Sequence, residues 1–168
     1  NTMNDMNKWS FIYRERFNIS YDSSTKLNNI SVAGDSGWEI AYIPISTVAG
    51  KEYTISFDYQ NPNGYTALSG YQGIGYQVLS KVENLDNMTN SIATKYLTTT
   101  ASGVTRLSIT FKATSTTTYF AYNFGMANDG VTTTVKLGNL KVSETINYNT
   151  ELGTLPTPTM PGFTFNGW

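Results

Sequence analysis

A hydrophobic rhythm of two residues recurs along this chain, and it limits what the chain can fold into. Residues 51–60 read KEYTISFDYQ, which sets Tyr53, Ile55, Phe57 and Tyr59 on one side and Thr54, Ser56, Asp58 and Gln60 on the other. Side chains of a β-strand alternate between faces, whereas a helix needs a period near 3.6, so this pattern predicts a strand with one buried face. The same alternation runs through 72–80 (Ile74, Tyr76, Val78) and 105–112 (Leu107, Ile109, Phe111). In 117–126 it sets Phe120, Tyr122, Phe124 and Met126 against Tyr119, Ala121 and Asn123. In 134–143, Val135 and Leu137 share a face, and the phase slips at Gly138-Asn139 to Leu140 and Val142, as a β-bulge would make it.

Weaker strand patterns cover 9–13, 17–21, 26–32 and 38–43, and a further strand is expected near 93–98 within the less regular stretch 84–100. Turn signals separate the strands at Ala49-Gly50, Asn61-Pro62-Asn63-Gly64, Ser102-Gly103 and Asn128-Asp129-Gly130. No window carries a sustained helical stripe. Eight to ten short strands with frequent turns predict an all-β fold, a two-sheet antiparallel β-sandwich. Tyr53, Ile55, Phe57, Ile109, Phe111, Phe120, Tyr122 and Phe124 are expected in its core, with Trp9 anchoring the first strand.

Composition narrows the function. The 168 residues contain no histidine and no cysteine. Ser-His-Asp and Cys-His catalysis, disulfides and zinc-thiolate sites are therefore impossible, and only a carboxylate pair is left for hydrolysis. Asp58 is the acidic residue in the middle of a strong strand pattern, whose run Glu52 opens, while Glu39, Asp22, Asp35, Glu83 and Asp86 fall in weak strands or loops. No paired constellation is visible, so the chain reads as a binder and not an enzyme. Charged residues make up 14% and the net charge is −1, with lysine and arginine scattered singly. Such a surface offers no field for nucleic acid or an anionic membrane, and no stretch is apolar enough to span a bilayer as a helix. Asn1 reads as a cut point within a longer parent. The Asn18, Asn29 and Asn87 sequons read as accidents of an Asn/Ser/Thr-rich composition.

Two resemblances add to this. The run Ile45-Ser46-Thr47-Val48-Ala49-Gly50-Lys51-Glu52-Tyr53-Thr54-Ile55-Ser56-Phe57, with the early Trp9 and the last strand Val135-Lys136-Leu137-Gly138-Asn139-Leu140-Lys141-Val142, resembles carbohydrate-binding modules of the family 4/9/22 jelly-roll type. The resemblance covers about residues 1–144 and implies a jelly roll that binds glycan on a sheet face or at a loop edge. Gly138 stands where that family commonly carries an aspartate, which counts against its usual structural calcium, and no cofactor is required. From Tyr148-Asn149-Thr150-Glu151-Leu152-Gly153-Thr154-Leu155-Pro156 to Pro161-Gly162-Phe163-Thr164-Phe165-Asn166-Gly167-Trp168, the chain resembles the opening of a Listeria–Bacteroides repeat. That second segment, 145–168, implies a truncated β-grasp-like unit and an extracellular or surface-attached parent, Gram-positive in origin. It is too short to enclose a core of its own.

A glycan site needs exposed rings for the C–H faces of sugars and polar side chains for their hydroxyls. Tyr65 and Tyr71 in the loop NPNGYTALSGYQ either serve as such rings or fold over the loop itself. Trp38 lies either at a sheet edge or in the core. Tyr119 is the fourth candidate ring, and Asp58, Gln77 and Asn123 are the candidate hydroxyl partners, with Gln60 and Arg106 on polar strand faces. Partners are then a polysaccharide or oligosaccharide bound weakly, in the micromolar to millimolar range, by a monomeric module of a larger chain. The alternative is an adhesin or stalk domain with a protein or cell-wall partner.

Overall fold

The computed structural model describes residues 4–34, 39–82, 90–125, 131–145, 159 and 161–164. Ten strands run through them: β1 (Ser10–Ile12), β2 (Phe17–Asp22), β3 (Leu27–Ala33), β4 (Ile40–Ser46), β5 (Glu52–Asn61), β6 (Gly75–Leu79), β7 (Ser91–Tyr96), β8 (Ala101–Lys112), β9 (Thr117–Asn123) and β10 (Thr132–Glu144). They form two five-stranded sheets, the first in the order β1-β4-β9-β6-β7 and the second in the order β2-β3-β10-β5-β8. All the pairings are antiparallel. This is the two-sheet antiparallel sandwich that the alternation predicts, in keeping with the jelly roll that the resemblance implies. Among the described residues, no helix is long and apolar enough to cross a membrane.

The core lies between the sheets, and aromatic rings dominate it. Phe57 of β5 meets Tyr76, Phe120 and Tyr122 of the opposite sheet at centroid distances of 5.1, 5.7 and 5.2 Å. Trp9 stacks flat on Tyr122 at 5.3 Å, so the tryptophan just before β1 does anchor the sandwich. All eight expected core residues are buried. Large rings suit this interior because each buries much apolar area, and edge-to-face pairs add to that burial.

The phase slip in β10 is a real irregularity. Its pairing with β5 shifts register between Gly138 and Lys141, and Asn139 adopts a left-handed conformation with φ of 52°. Leu137 and Leu140 are consequently both buried, although three positions apart. The Ser102-Gly103 turn is corrected: both residues lie inside β8, which begins at Ala101. The register there shifts between Tyr59 and Asn61, which face Thr105 and Ala101, so β8 carries the extra residues as a bulge and does not turn back. The Asn128-Asp129-Gly130 turn, Met126 and nearly all of the C-terminal repeat segment lie outside the described residues.

Candidate functional site

Alternation says which side chains leave the core, and strand register says which of them meet. On the outer face of the first sheet, Ser10, Tyr42, Ala121, Gln77 and Thr94 stand opposite one another across all five strands. A second row alongside holds Ile12, Ile40, Asn123, Gly75 and Tyr96, and a third holds Pro44, Tyr119 and Leu79. Neighbouring strands lie about 4.8 Å apart, so each full row spans roughly 20 Å. Ala121 and Gly75, in the middle of these rows, are small and buried. Tyr42 and Tyr119 rise beside it, edge to face, with centroids 6.3 Å apart.

This outward face carries its own apolar patch. Ile40, Leu79 and Ala121 are buried there, with Ile12, Tyr42, Val82 and Tyr119 packed against them. Among these residues sits the amide of Gln77, 1% exposed, and neither its Oε1 nor its Nε2 has a hydrogen-bond partner. It lies along its own strand toward Gly75, where an added Cβ would be 3.5 Å from the amide carbon. A buried amide left unpaired costs about 1–3 kcal/mol per unsatisfied group. Asn123, in the adjacent row, is fully buried, and its Oδ1 accepts the Gly125 N–H at 3.0 Å.

The sequence-predicted residues therefore separate into three places. Gln77, Tyr119 and Asn123 come together on the first sheet's outer face. Gln77 and Asn123 are buried there. Asp58 projects from the second sheet, apart from those three. It pairs with Arg106 at 2.8 Å and accepts from Asn139 Nδ2 at 2.8 Å, while Arg106 also donates to Ser56 Oγ and the Asn139 carbonyl. Gln60 is on this same outward side and donates to the Ser102 carbonyl.

Tyr65 and Tyr71 lie on the connection between β5 and β6. The Tyr65 hydroxyl donates to the Leu97 carbonyl at 2.9 Å and accepts the Ile74 N–H at 3.1 Å. Its ring passes so close to Gly73 that a Cβ there would fall 2.3 Å from the hydroxyl oxygen, and burial pushes its pKa up. Tyr65 thus pins the loop to the end of the sandwich, whereas Tyr71 is exposed. Trp38 lies outside the described residues. Tyr42 and Tyr96 are the face residues that sequence reasoning missed. The alternation Tyr42–Ile43 was readable, but its significance depends on β4 pairing with β9.

Four described carboxylates, Asp22, Glu39, Asp58 and Glu144, are ion-paired. Glu39, deeply buried, is ion-paired with Arg16. Asp22 is held well below the usual carboxylate range, first by Lys136 at 2.7 Å and then by Ser24. The structure also bears on the calcium that the jelly-roll resemblance suggests. A Cβ on Gly138 would stand 3.0 Å from Leu27 Cδ2 and 3.3 Å from Leu27 Cα, so an aspartate does not fit there without displacing Leu27. Asn4 Oδ1 accepts the nearby Leu140 N–H, and among the described residues no three acidic side chains converge. These residues do not fit that ion.

No protein-family profile and no curated protein matches the chain. Solved structures do. A family 4 carbohydrate-binding module superposes with a TM-score of 0.59 at 17% identity, covering 86% of this chain and 92% of that one. A family 61 module in complex with β-1,4-galactotriose gives 0.57 at 10% identity, with 86% and 93% covered. The family 22 module and xylanase of Clostridium thermocellum, complexed with xylohexaose, gives 0.51 at 16% identity, with 84% of this chain and 27% of that one covered. The likeness establishes a fold of the carbohydrate-binding-module type.

Proposed function

We propose that this chain is a non-catalytic carbohydrate-binding module whose glycan lies across the outer face of the first sheet. One observation carries the reading: the Gln77 amide, buried in a face bordered by Tyr42 and Tyr119, lacks a donor and an acceptor that sugar hydroxyls supply. Tyrosine rings offer apolar faces to sugar C–H groups, and a row spanning roughly 20 Å matches an extended oligosaccharide better than a single sugar. The near-zero net charge suits a neutral glycan, and two of the structural neighbours are complexed with neutral oligosaccharides. The carboxylates engaged with Arg16, Arg106 and Lys136 support a binding role over hydrolysis.

In this reading the module holds a secreted or surface-attached glycan-degrading protein, Gram-positive in origin, on its polysaccharide, and residues 145–168 begin a further extracellular module. The test is a broad glycan array followed by titration calorimetry. Tyr119→Ala should weaken binding about tenfold with little effect on melting, because this partly buried ring borders the outer patch and takes no part in the core between the sheets. Absence of binding to any glycan would replace this reading with the adhesin or spacer role.

A further inference from the structure

The second sheet opens at one corner into a polar cavity of about 320 Å³, far from the face described above in the strand order. Its origin is visible in the row of β2 and β3 side chains that points between the sheets. The pair Phe17–Val32 is buried, Ile19 opposite Ile30 is half-buried, and Tyr21 opposite Asn28 leaves Tyr21 62% exposed. The row thus runs out of the core into water, and the chain Asn4–Asn7 folds over the end as a roof. An inward-pointing tyrosine left this exposed is a poor use of a core position.

The polar groups around the cavity have spare capacity. Asn28 is only 8% exposed, and its Nδ2 donates to the Asn4 carbonyl, while its Oδ1 takes no hydrogen bond among the described residues. Arg14 lies over the Phe11 ring and donates through one nitrogen to the Phe17 carbonyl, with no hydrogen bond from its other terminal nitrogen among the described residues. Asp5 uses Oδ1 on the Asn7 N–H, and Asn7 and Ser20 complete the wall. The Asp5 and Arg14 charges cancel, so the lining selects neither an anion nor a cation. Its size is at the lower end of small-molecule sites, roughly 300–1,000 Å³.

We infer that this corner is a second, independent carbohydrate site for a neutral unit of one or two sugar rings. The ring stacks on Tyr21, and its hydroxyls bond to Asn28 Oδ1, Arg14, Asp5 and Asn7. The inference rests on the carbohydrate reading of the preceding subsection, but it shares no residue with the face proposed there. A chain with both sites holds two segments of a polysaccharide and gains avidity wherever both engage.

Amide-resonance perturbation of the isotopically labelled chain tests this. The probes are cellobiose, xylobiose, lactose and mannobiose, followed by longer oligomers of whichever binds. A disaccharide should shift the amides of Asn4–Asn7, Ser20, Tyr21 and Asn28. Tyr21→Ala and Asn7→Ala, both at exposed positions, should weaken that response about tenfold, while Tyr119→Ala leaves it unchanged. Shifts confined to β4, β6 and β9 overturn the second site and leave the proposed function standing. Corner shifts that vanish in Tyr119→Ala also overturn it, since the site would not be independent. A chain that responds to no glycan anywhere overturns both.

Discussion

At the residue scale, the least comfortable side chain is Gln77. Leucine has nearly its volume and no polar atoms, so Gln77→Leu removes two unpaired buried groups without opening a cavity. The variant should be as stable as the parent or more stable by roughly 1–3 kcal/mol, measured by urea denaturation, while glycan binding is lost. A clear loss of stability would show that the amide serves the fold and would undercut the proposed site. Tyr59 makes a different prediction. Burial pushes its pKa to about 12 from an ordinary 10.0, and its hydroxyl donates to the Thr98 carbonyl at 2.6 Å. Between those two values the unfolded chain releases the proton and the folded chain keeps it. Stability present below pH 10 is therefore lost as the pH rises toward 12. In Tyr59→Phe, stability measured from pH 9 to pH 11 should decline less steeply than in the parent, from a lower starting point.

At the element scale, the bulge in β10 joins backbone geometry to surface chemistry. The left-handed Asn139 turns its carbonyl to Arg106 and its amide to Asp58, and together these tie β10, β5 and β8. Asn139→Gly and Asn139→Ala lose the same side-chain bond, but only alanine pays for the positive φ. Chemical denaturation should find the alanine variant less stable than the glycine variant by about 1 kcal/mol. Equal stabilities would mean that the bulge relaxes to a negative φ. This same network explains why Asp58, the most prominent carboxylate of the strand patterns, is occupied on its own sheet and absent from the candidate face.

At the scale of the whole molecule, one aromatic cluster joins the two sheets, and Phe57 touches three rings of the opposite sheet. Phe57→Ala should cost about 3–5 kcal/mol, seen as a large drop in thermal midpoint and a matching drop in denaturant midpoint. Losing Phe57 without a comparable change would mean that the sheets are held together elsewhere. Tyr119→Ala should do the opposite, sparing the melt and weakening glycan binding, so melting and titration together distinguish core rings from binding rings.

The sequence by itself determined the strands, their inward faces and the bulge, because the alternation of side chains is a local property of an extended backbone. Tyr53, Ile55, Phe57, Phe120 and Tyr122 are in the core for that reason, and the slip at Gly138-Asn139 was visible as a broken period. The absence of histidine and cysteine likewise removed whole classes of chemistry before any fold was known. Only the tertiary structure decided which outward side chains share a surface. Asp58, Gln77 and Asn123 all alternate away from the core, but the sandwich has two outer faces, and local period does not say to which sheet a strand belongs. Strand order and register put Tyr42, Ala121 and Gln77 in one row, assign Asp58 to the other sheet and leave Tyr21 at an open corner. Those pairings join residues far apart in the chain, and the energies that select them come from packing the two sheets together, not from the propensity of any one strand.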